Sequence, residues 1–214
     1  MASTSSVYGV SAQTPFYETN VTDRPITLYA ATKKSTELMG HSYAHLWRLP
    51  TTMFRFFTVY GPWGRPDMAP LKFLEAIEEG RAIDVYNHGD MLRDFTYIDD
   101  ITQALVGLID VLAEPTGDFD ASHPDPSSSP TAPYRLYNIG NNQPESLEYF
   151  IEVLETCIGN KAVKNYLDLQ PGDVVETYAD ISDLERHIGF RPSTSIEQGL
   201  AHFVNWYRAY HLTV

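Results

Sequence analysis

The sequence predicts an α/β fold, and three observations carry that expectation. Residues 28–47 hold apolar side chains at helical spacing. Directly after them, residues 51–57 are β-branched and aromatic, the composition of a buried strand. Beyond that point helical and strand-like stretches keep alternating, irregularly and without an internal repeat.

In chain order, residues 1–10 begin Ser- and Thr-rich and reach Val7-Tyr8-Gly9, which reads as a strand end entering a loop. Residues 11–27 form a loop punctuated by Pro15 and Pro25. The helix 28–47 and the strand 51–57 follow, then an irregular Gly/Pro loop over 59–66. A helix is expected at 69–79, and short strands at 83–86 and 92–97 flank a turn at 87–90. Asp99 and Asp100 stand at the start of a helix predicted over 101–112, where carboxylates suit the unpaired amides. Residues 114–133 are rich in Pro, Ser and Asp and read as a surface loop of low order. A strand at 135–139, a helix at 146–158 capped by Ser146, and a strand at 162–166 come next. The loop Gln170-Pro171-Gly172-Asp173, a short strand at 177–179, and helices at 181–188 and 195–211 complete the chain.

The 214 residues suffice for one large domain with a sizeable core. With 43% hydrophobic and 20% charged residues the composition is globular. Fifteen Lys and Arg against 28 Asp and Glu leave a formal charge of -13, which disfavours nucleic acid and anionic membrane as partners. An anionic ligand must therefore be held by local Arg, Lys or backbone N–H groups. Cys157 is the single cysteine, so an intrachain disulfide is excluded and a reducing, cytoplasmic setting is expected. Its neighbours suggest a buried helical position. No apolar run matches a membrane span, and residues 1–6 lack the regions of a signal peptide. His41 and His45 lie one helical turn apart, but no carboxylate completes a ligand set with them, so no metal site is expected.

Tyr29-Ala30-Ala31-Thr32-Lys33 carries the chemistry. On a helix, residues four apart share a face, so phenol and ammonium point into the same space. A phenol is a poor base on its own, and a fixed cation beside it favours the phenolate. Such a pair can act as a proton acceptor near neutral pH. Tyr and Lys at this spacing are common on helices, and what surrounds the pair gives it weight.

Three further segments do so: Thr4-Ser5-Ser6-Val7-Tyr8-Gly9 before the pair, Arg55-Phe56-Phe57-Thr58-Val59-Tyr60-Gly61-Pro62-Trp63-Gly64-Arg65-Pro66 after it, and then Leu92-Arg93-Asp94-Phe95-Thr96-Tyr97-Ile98-Asp99-Asp100. In this order they resemble the extended short-chain dehydrogenase/reductases that act on nucleotide sugars, from Ser3 to about His211. The stretch 58–68 looks like the UDP-glucuronate 4-epimerases. The resemblance implies an α/β chain made of the C-terminal part of an NAD(P)-binding Rossmann-fold sheet plus a small α/β substrate-binding domain. Residues 1–66 would belong to the former and 67–214 mostly to the nucleotide-sugar region, with about 92–112 returning to the Rossmann part.

The implied roles follow the matching positions. Tyr29 would be the catalytic base, Lys33 its cationic partner and a ligand of the nicotinamide ribose, and Thr4 the residue that sets the sugar hydroxyl beside Tyr29. Ser5 and Ser6 flank Thr4 on the substrate side. Thr58 and Arg65 would face the sugar carboxylate, for which Arg offers a charge-assisted grip. Val85 and Tyr86 match the segment beside the uracil, Arg93 a diphosphate contact, and Gln170 and Asp173 the uridine ribose region. The cofactor implied is NAD and the partner a UDP-sugar; a homodimer is left open.

One departure is large. No glycine-rich turn able to receive the pyrophosphate of a dinucleotide occurs, and Gly61-Pro62-Trp63-Gly64 lacks both the third glycine and the following helix. The chain is therefore expected to correspond to the second half of such an enzyme, and by itself to bind NAD poorly and be inactive. Three functional readings stand at this point. One is the NAD-dependent 4-epimerase of UDP-uronic acids in its complete form. The second is a nucleotide-sugar dehydratase or decarboxylase of the same family, against which Ser6 stands where those enzymes carry an acidic residue. The third is a non-catalytic remnant that binds nucleotide sugar or a partner chain.

Overall fold

The computed structural model describes residues 1–10, 13–117 and 119–211. Its strands in chain order are β1 (Ala2–Thr4), β2 (Thr51–Phe56), β3 (Thr58–Tyr60), β4 (Ala82–Tyr86), β5 (Leu92–Arg93), β6 (Phe95–Tyr97), β7 (Tyr134–Ile139), β8 (Glu145–Ser146) and β9 (Val163–Leu167). Its α-helices are α1 (Leu28–Trp47), α2 (Ala69–Glu78), α3 (Ile98–Gly107), α4 (Leu147–Ile158), α5 (Ser182–Ile188) and α6 (Ile196–His211). The chain is α/β with parallel sheets, as the alternation of elements predicts.

β2 lies between β1 and β7 in a parallel sheet, with Phe54 opposite Ala2 on one side and Tyr137 on the other. Thr51, Met53 and Arg55 are buried in strict alternation, so one face of β2 is turned wholly inward. α1 covers that face. Its buried residues include Ala30, Gly40 and Ala44, small side chains that let helix and sheet approach closely. A Cβ on Gly40 would stand 3.3 Å from the Met53 sulfur. The opposite face packs on α3 and α5 through Ile101, Ala104, Leu108 and Leu184, with Tyr137 and Ile139 beneath them.

A second core gathers α2, α4 and α6 around β4 and β6, through Leu74, Ile83, Val85, Phe150, Leu200 and Phe203. The parallel pairs β3–β6 and β4–β9 belong to this half, as does the short antiparallel pair β5–β8.

Several boundaries depart from the sequence expectation. Val7 and Tyr8 do not end a strand. The strand stops at Thr4, whose side chain caps a short 3-10 helix, Ser5–Tyr8. The stretch 92–97 is two strands, because Asp94 between them bonds to amides elsewhere. α3 begins earlier and ends earlier than 101–112. Ile109 and Leu112 are exposed, so a longer helix would have no face to bury there. Residues 177–179 form no strand, although Ala179 makes an isolated bridge to Phe16. Cys157 sits on α4 but is only half-buried. From beyond residue 66, β7 joins the β1–β2 sheet. The loop 114–133 is tied down in part: the Ser127 hydroxyl accepts from the Leu136 amide at 2.9 Å, and Arg135 donates to the Ser127 carbonyl at 2.9 Å.

Candidate active site

A cleft of about 740 Å³ opens at the C-terminal ends of β1 and β2. One wall is the start of α1. Thr27 caps that helix, accepting from the Ala30 amide at 3.1 Å, and so fixes where its first turn begins. Tyr29 lies in this turn, half exposed, with its side chain on the cleft wall. Lys33, one turn further, also lines the cleft and donates from Nζ to the Ala2 carbonyl at 3.1 Å.

The adjoining wall is the turn that Thr4 creates. Its hydroxyl oxygen accepts from the Ser6 amide at 3.2 Å and lies 3.2 Å from the Ser6 hydroxyl. The cap presents Thr4, Ser5 and Ser6 to the same space as Tyr29.

The third wall is β3 and the loop after it, which supply Thr58 and Arg65. Gly61 adopts φ 127, and a Cβ there would stand 2.7 Å from Ile98, so no other residue fits. Trp63 packs its ring 4.8 Å from Tyr210 and 5.4 Å from Trp206, holding the loop against α6. Arg65 is exposed, and one edge of its guanidinium, Nε and Nη2, donates to the two oxygens of Asp67, with Nε 3.1 Å from Oδ1.

Arg93 and Asp173 line the end of the cleft and pair with each other at 2.9 Å. Arg93 also donates to the Val175 carbonyl at 2.9 Å. Burial holds its guanidinium below the usual arginine value, and Asp173 opposes that effect. The two residues assigned separately to diphosphate and ribose are thus partners in one ion pair.

Val85, Tyr86 and Gln170 do not line this cleft. Alternation along β4 turns Val85 inward, where it is fully buried against the α2 and α4 core, so its side chain is unavailable to a ligand. Tyr86 packs half-buried at the edge of that core, and Gln170 is exposed on its loop. His41 and His45 have other neighbours, Tyr134 and Thr131. Among the described residues, no group of three His, Cys, Asp or Glu is placed to hold a metal ion.

Beneath the cleft lies a buried polar network that sequence reasoning missed. Arg55, 1% exposed, donates from Nε and Nη2 to the two oxygens of Glu37 at 2.9 Å each. The Ser3 hydroxyl donates to Glu37 at 2.6 Å. Arg55 further reaches the Tyr8 hydroxyl at 3.0 Å and the Glu18 carbonyl at 3.2 Å. Burial alone would raise the Glu37 carboxyl, but the Arg55 bonds win and hold it below the ordinary value. Burial likewise works against the Arg55 charge, and the Glu37 bonds outweigh it. A signal was present in the sequence: Arg55 occupies an inward position of a strand, and Glu37 follows Lys33 on the buried stripe of α1.

Asp94 is a second such group. Fully buried, it accepts from the amides of Asn141, Asn142 and Ala179 at 2.5, 3.1 and 2.9 Å. Burial pushes its carboxyl up despite these bonds. It ties together the loops that flank Arg93 and Thr177.

Comparison with known proteins places this arrangement. Residues 1–120 match the model of the NAD dependent epimerase/dehydratase family. The chain is 57% identical over 210 residues to protein CapI of Staphylococcus aureus, covering 98% of this chain and 63% of that protein. It is 51% identical over 221 residues to a probable UDP-glucuronate 4-epimerase of Rhizobium meliloti (strain 1021), covering 100% of this chain and 64% of that protein. The fold superposes with a TM-score of 0.82, at 30% identity, on UDP-glucuronic acid 4-epimerase from Bacillus cereus, whose crystal contains UDP-glucuronic acid and NAD. There the match covers 98% of this chain and 61% of that one, so the chain spans about three fifths of the length of these relatives. Over more than half of its residues, and with the cleft built at the ends of its parallel strands, the chain belongs to the NAD dependent epimerase/dehydratase family.

Proposed function

We propose that this chain carries the proton-acceptor and sugar-binding part of an NAD-dependent 4-epimerase that interconverts UDP-glucuronate and UDP-galacturonate. The observation that carries the reading is the meeting of Tyr29, Lys33 and Thr4 in one cleft with Thr58 and Arg65. Relatives and structural neighbours named for UDP-glucuronate 4-epimerisation support it.

The residues present fit one end of NAD. Tyr29 and Lys33 offer a hydroxyl and an ammonium at the cleft wall, suited to ribose hydroxyls. A glycine-rich pyrophosphate turn is not among the 214 residues. A bound NAD would supply the reversible hydride acceptor for carbon 4 of the sugar.

The chain's own groups do the rest. Tyr29 takes the proton of the 4-hydroxyl as the carbonyl forms, and returns it after the sugar has turned over. Lys33 stabilises the charge that Tyr29 develops. Thr4 and Ser5 orient the hydroxyl toward Tyr29. The intermediate is a β-keto acid, which loses carbon dioxide when its carboxylate bond aligns with the carbonyl π system. Arg65 and Thr58 hold the carboxylate out of that alignment. Ser6, where dehydratases carry an acid, offers no base for the carbon 5 proton. With one cysteine, and no helix among the described residues long and apolar enough to cross a membrane, we place the activity in the cytoplasm.

The test is turnover of UDP-glucuronate by the complete, NAD-binding enzyme that contains this chain, followed by chromatography of the uronic acids. The reading expects UDP-galacturonate with NAD regenerated. A pentose product, or a 4-keto-6-deoxy sugar from a neutral substrate, would assign the chain to the decarboxylase or dehydratase reading.

A further inference from the structure

Each residue of β1 has a separate tie. The Ala2 carbonyl accepts from Lys33, the Ser3 hydroxyl donates to Glu37, and Thr4 caps the turn that lines the cleft. Two of these ties run to α1. Glu37 is the stronger, since it is buried at 2% exposure and bonded at both oxygens by Arg55. Ser3 and Arg55 are register partners across β1 and β2, so Glu37 reaches the two strands at one level. Tyr29, Lys33 and Glu37 follow one another at four-residue intervals along a single stripe of α1. Rotation or sliding of the helix that moved Tyr29 away from Thr4 would have to break the Glu37 bonds. Lys33 adds one exposed bond, to the Ala2 carbonyl, while Ala30, Gly40 and Ala44 offer only van der Waals contact, so the buried Glu37 bonds carry most of the polar grip.

We propose that Glu37, clamped by Arg55 and Ser3, is a positioning residue that fixes the approach of Tyr29 to Thr4. It touches no substrate, and its effect passes through the orientation of α1. This rests on the proposed proton-acceptor role of Tyr29. Placement matters steeply here, since a shift of about 1 Å at a reacting group can cost roughly 100-fold in rate.

The test measures kcat and KM in the active epimerase for single and paired variants. Tyr29→Phe and Thr4→Ala come first, each expected to lower kcat. Glu37→Gln keeps the size and one acceptor but sets an amide N–H against Arg55. It should lower kcat about 10- to 100-fold and change KM for UDP-glucuronate by less than about threefold. Thr4→Ala should then cost little in the Glu37→Gln background, because Thr4 no longer meets Tyr29 correctly. A merely structural role predicts the opposite, an undiminished cost of Thr4→Ala in both backgrounds, and that result overturns the proposal. If Glu37→Gln does not fold, Ser3→Ala removes a single hydroxyl and should show the same split at about 3- to 10-fold in kcat. Ser3→Ala with parental kcat and an undiminished Thr4→Ala cost would also overturn it. Parental kcat in Tyr29→Phe instead removes Tyr29 from the chemistry, and the positioning role with it.

Discussion

Arg65 and Asp67 face each other across one intervening proline, with Nε and Nη2 on one edge of the guanidinium donating to the two carboxylate oxygens. The pair is solvent-exposed, so it is weakly held. It also shows the geometry Arg65 offers to any carboxylate, a planar fork with two parallel donors. On the proposed role of Arg65, a substrate carboxylate would take the place of Asp67 or share Arg65 with it.

In the complete enzyme, Arg65→Leu should therefore separate charged from neutral substrates. We expect kcat/KM for UDP-glucuronate to fall roughly 10- to 100-fold, the range for losing hydrogen bonds to a charged group. UDP-glucose and UDP-galactose binding should stay within about twofold. Decarboxylated product should rise. Calorimetric titration with both substrate types, and analysis of products, check this; equal losses for both would make Arg65 a structural loop residue.

In the complete enzyme, Tyr29→Phe removes the proposed proton acceptor while keeping the ring. Turnover should fall roughly 10²–10⁴-fold, with substrate binding little changed. Steady-state kinetics beside equilibrium binding of UDP-glucuronate distinguish this from a general loss of the cleft, in which affinity would fall as well.

Glu18 sets a pH dependence of stability. Burial pushes its carboxyl up to about 7 from the ordinary 4.5, while the Asn138 amide bond opposes that rise. The folded chain thus holds this proton over a range where the unfolded chain has released it. The contribution is fully present below about 4.5 and is lost as pH rises through about 7. Between pH 5 and 8 it should remove about 2–3 kcal/mol. Glu18→Gln keeps the acceptor for Asn138 and should lose that dependence. Urea unfolding of parent and variant at both pH values measures it, and equal slopes would refute it.

Cofactor retention can be read directly. The 214-residue polypeptide has no glycine-rich pyrophosphate turn, so purified protein should carry little NAD. Native mass spectrometry, or absorbance of a perchloric acid extract, should find well below one equivalent. Stoichiometric NAD would mean that the cleft walls at Tyr29 and Lys33 suffice.

The sequence by itself determined the α/β class and the helix that carries Tyr29 and Lys33, while the positions from Thr4 to Ser6, at Thr58 and Arg65, and at Arg93 and Asp173 were implied by the family resemblance and lie together on the cleft. The class and the helix were legible because local rules act on them: helical periodicity over 28–47 and a β-branched, aromatic run directly after it. Only the tertiary structure decided the rest. That Arg93 and Asp173 bond to each other depends on residues 80 apart in the chain. That Val85 turns inward depends on which face of β4 meets α2 and α4. Glu37 and Arg55 could each have been a solvated charge on an ordinary helix or strand. Their burial follows from α1 lying across β1 and β2, and a charge taken out of water persists only with its partner in place. Spacing along the chain fixes what shares a helix face or a strand face; pairing between such faces is settled only when sheet and helix pack.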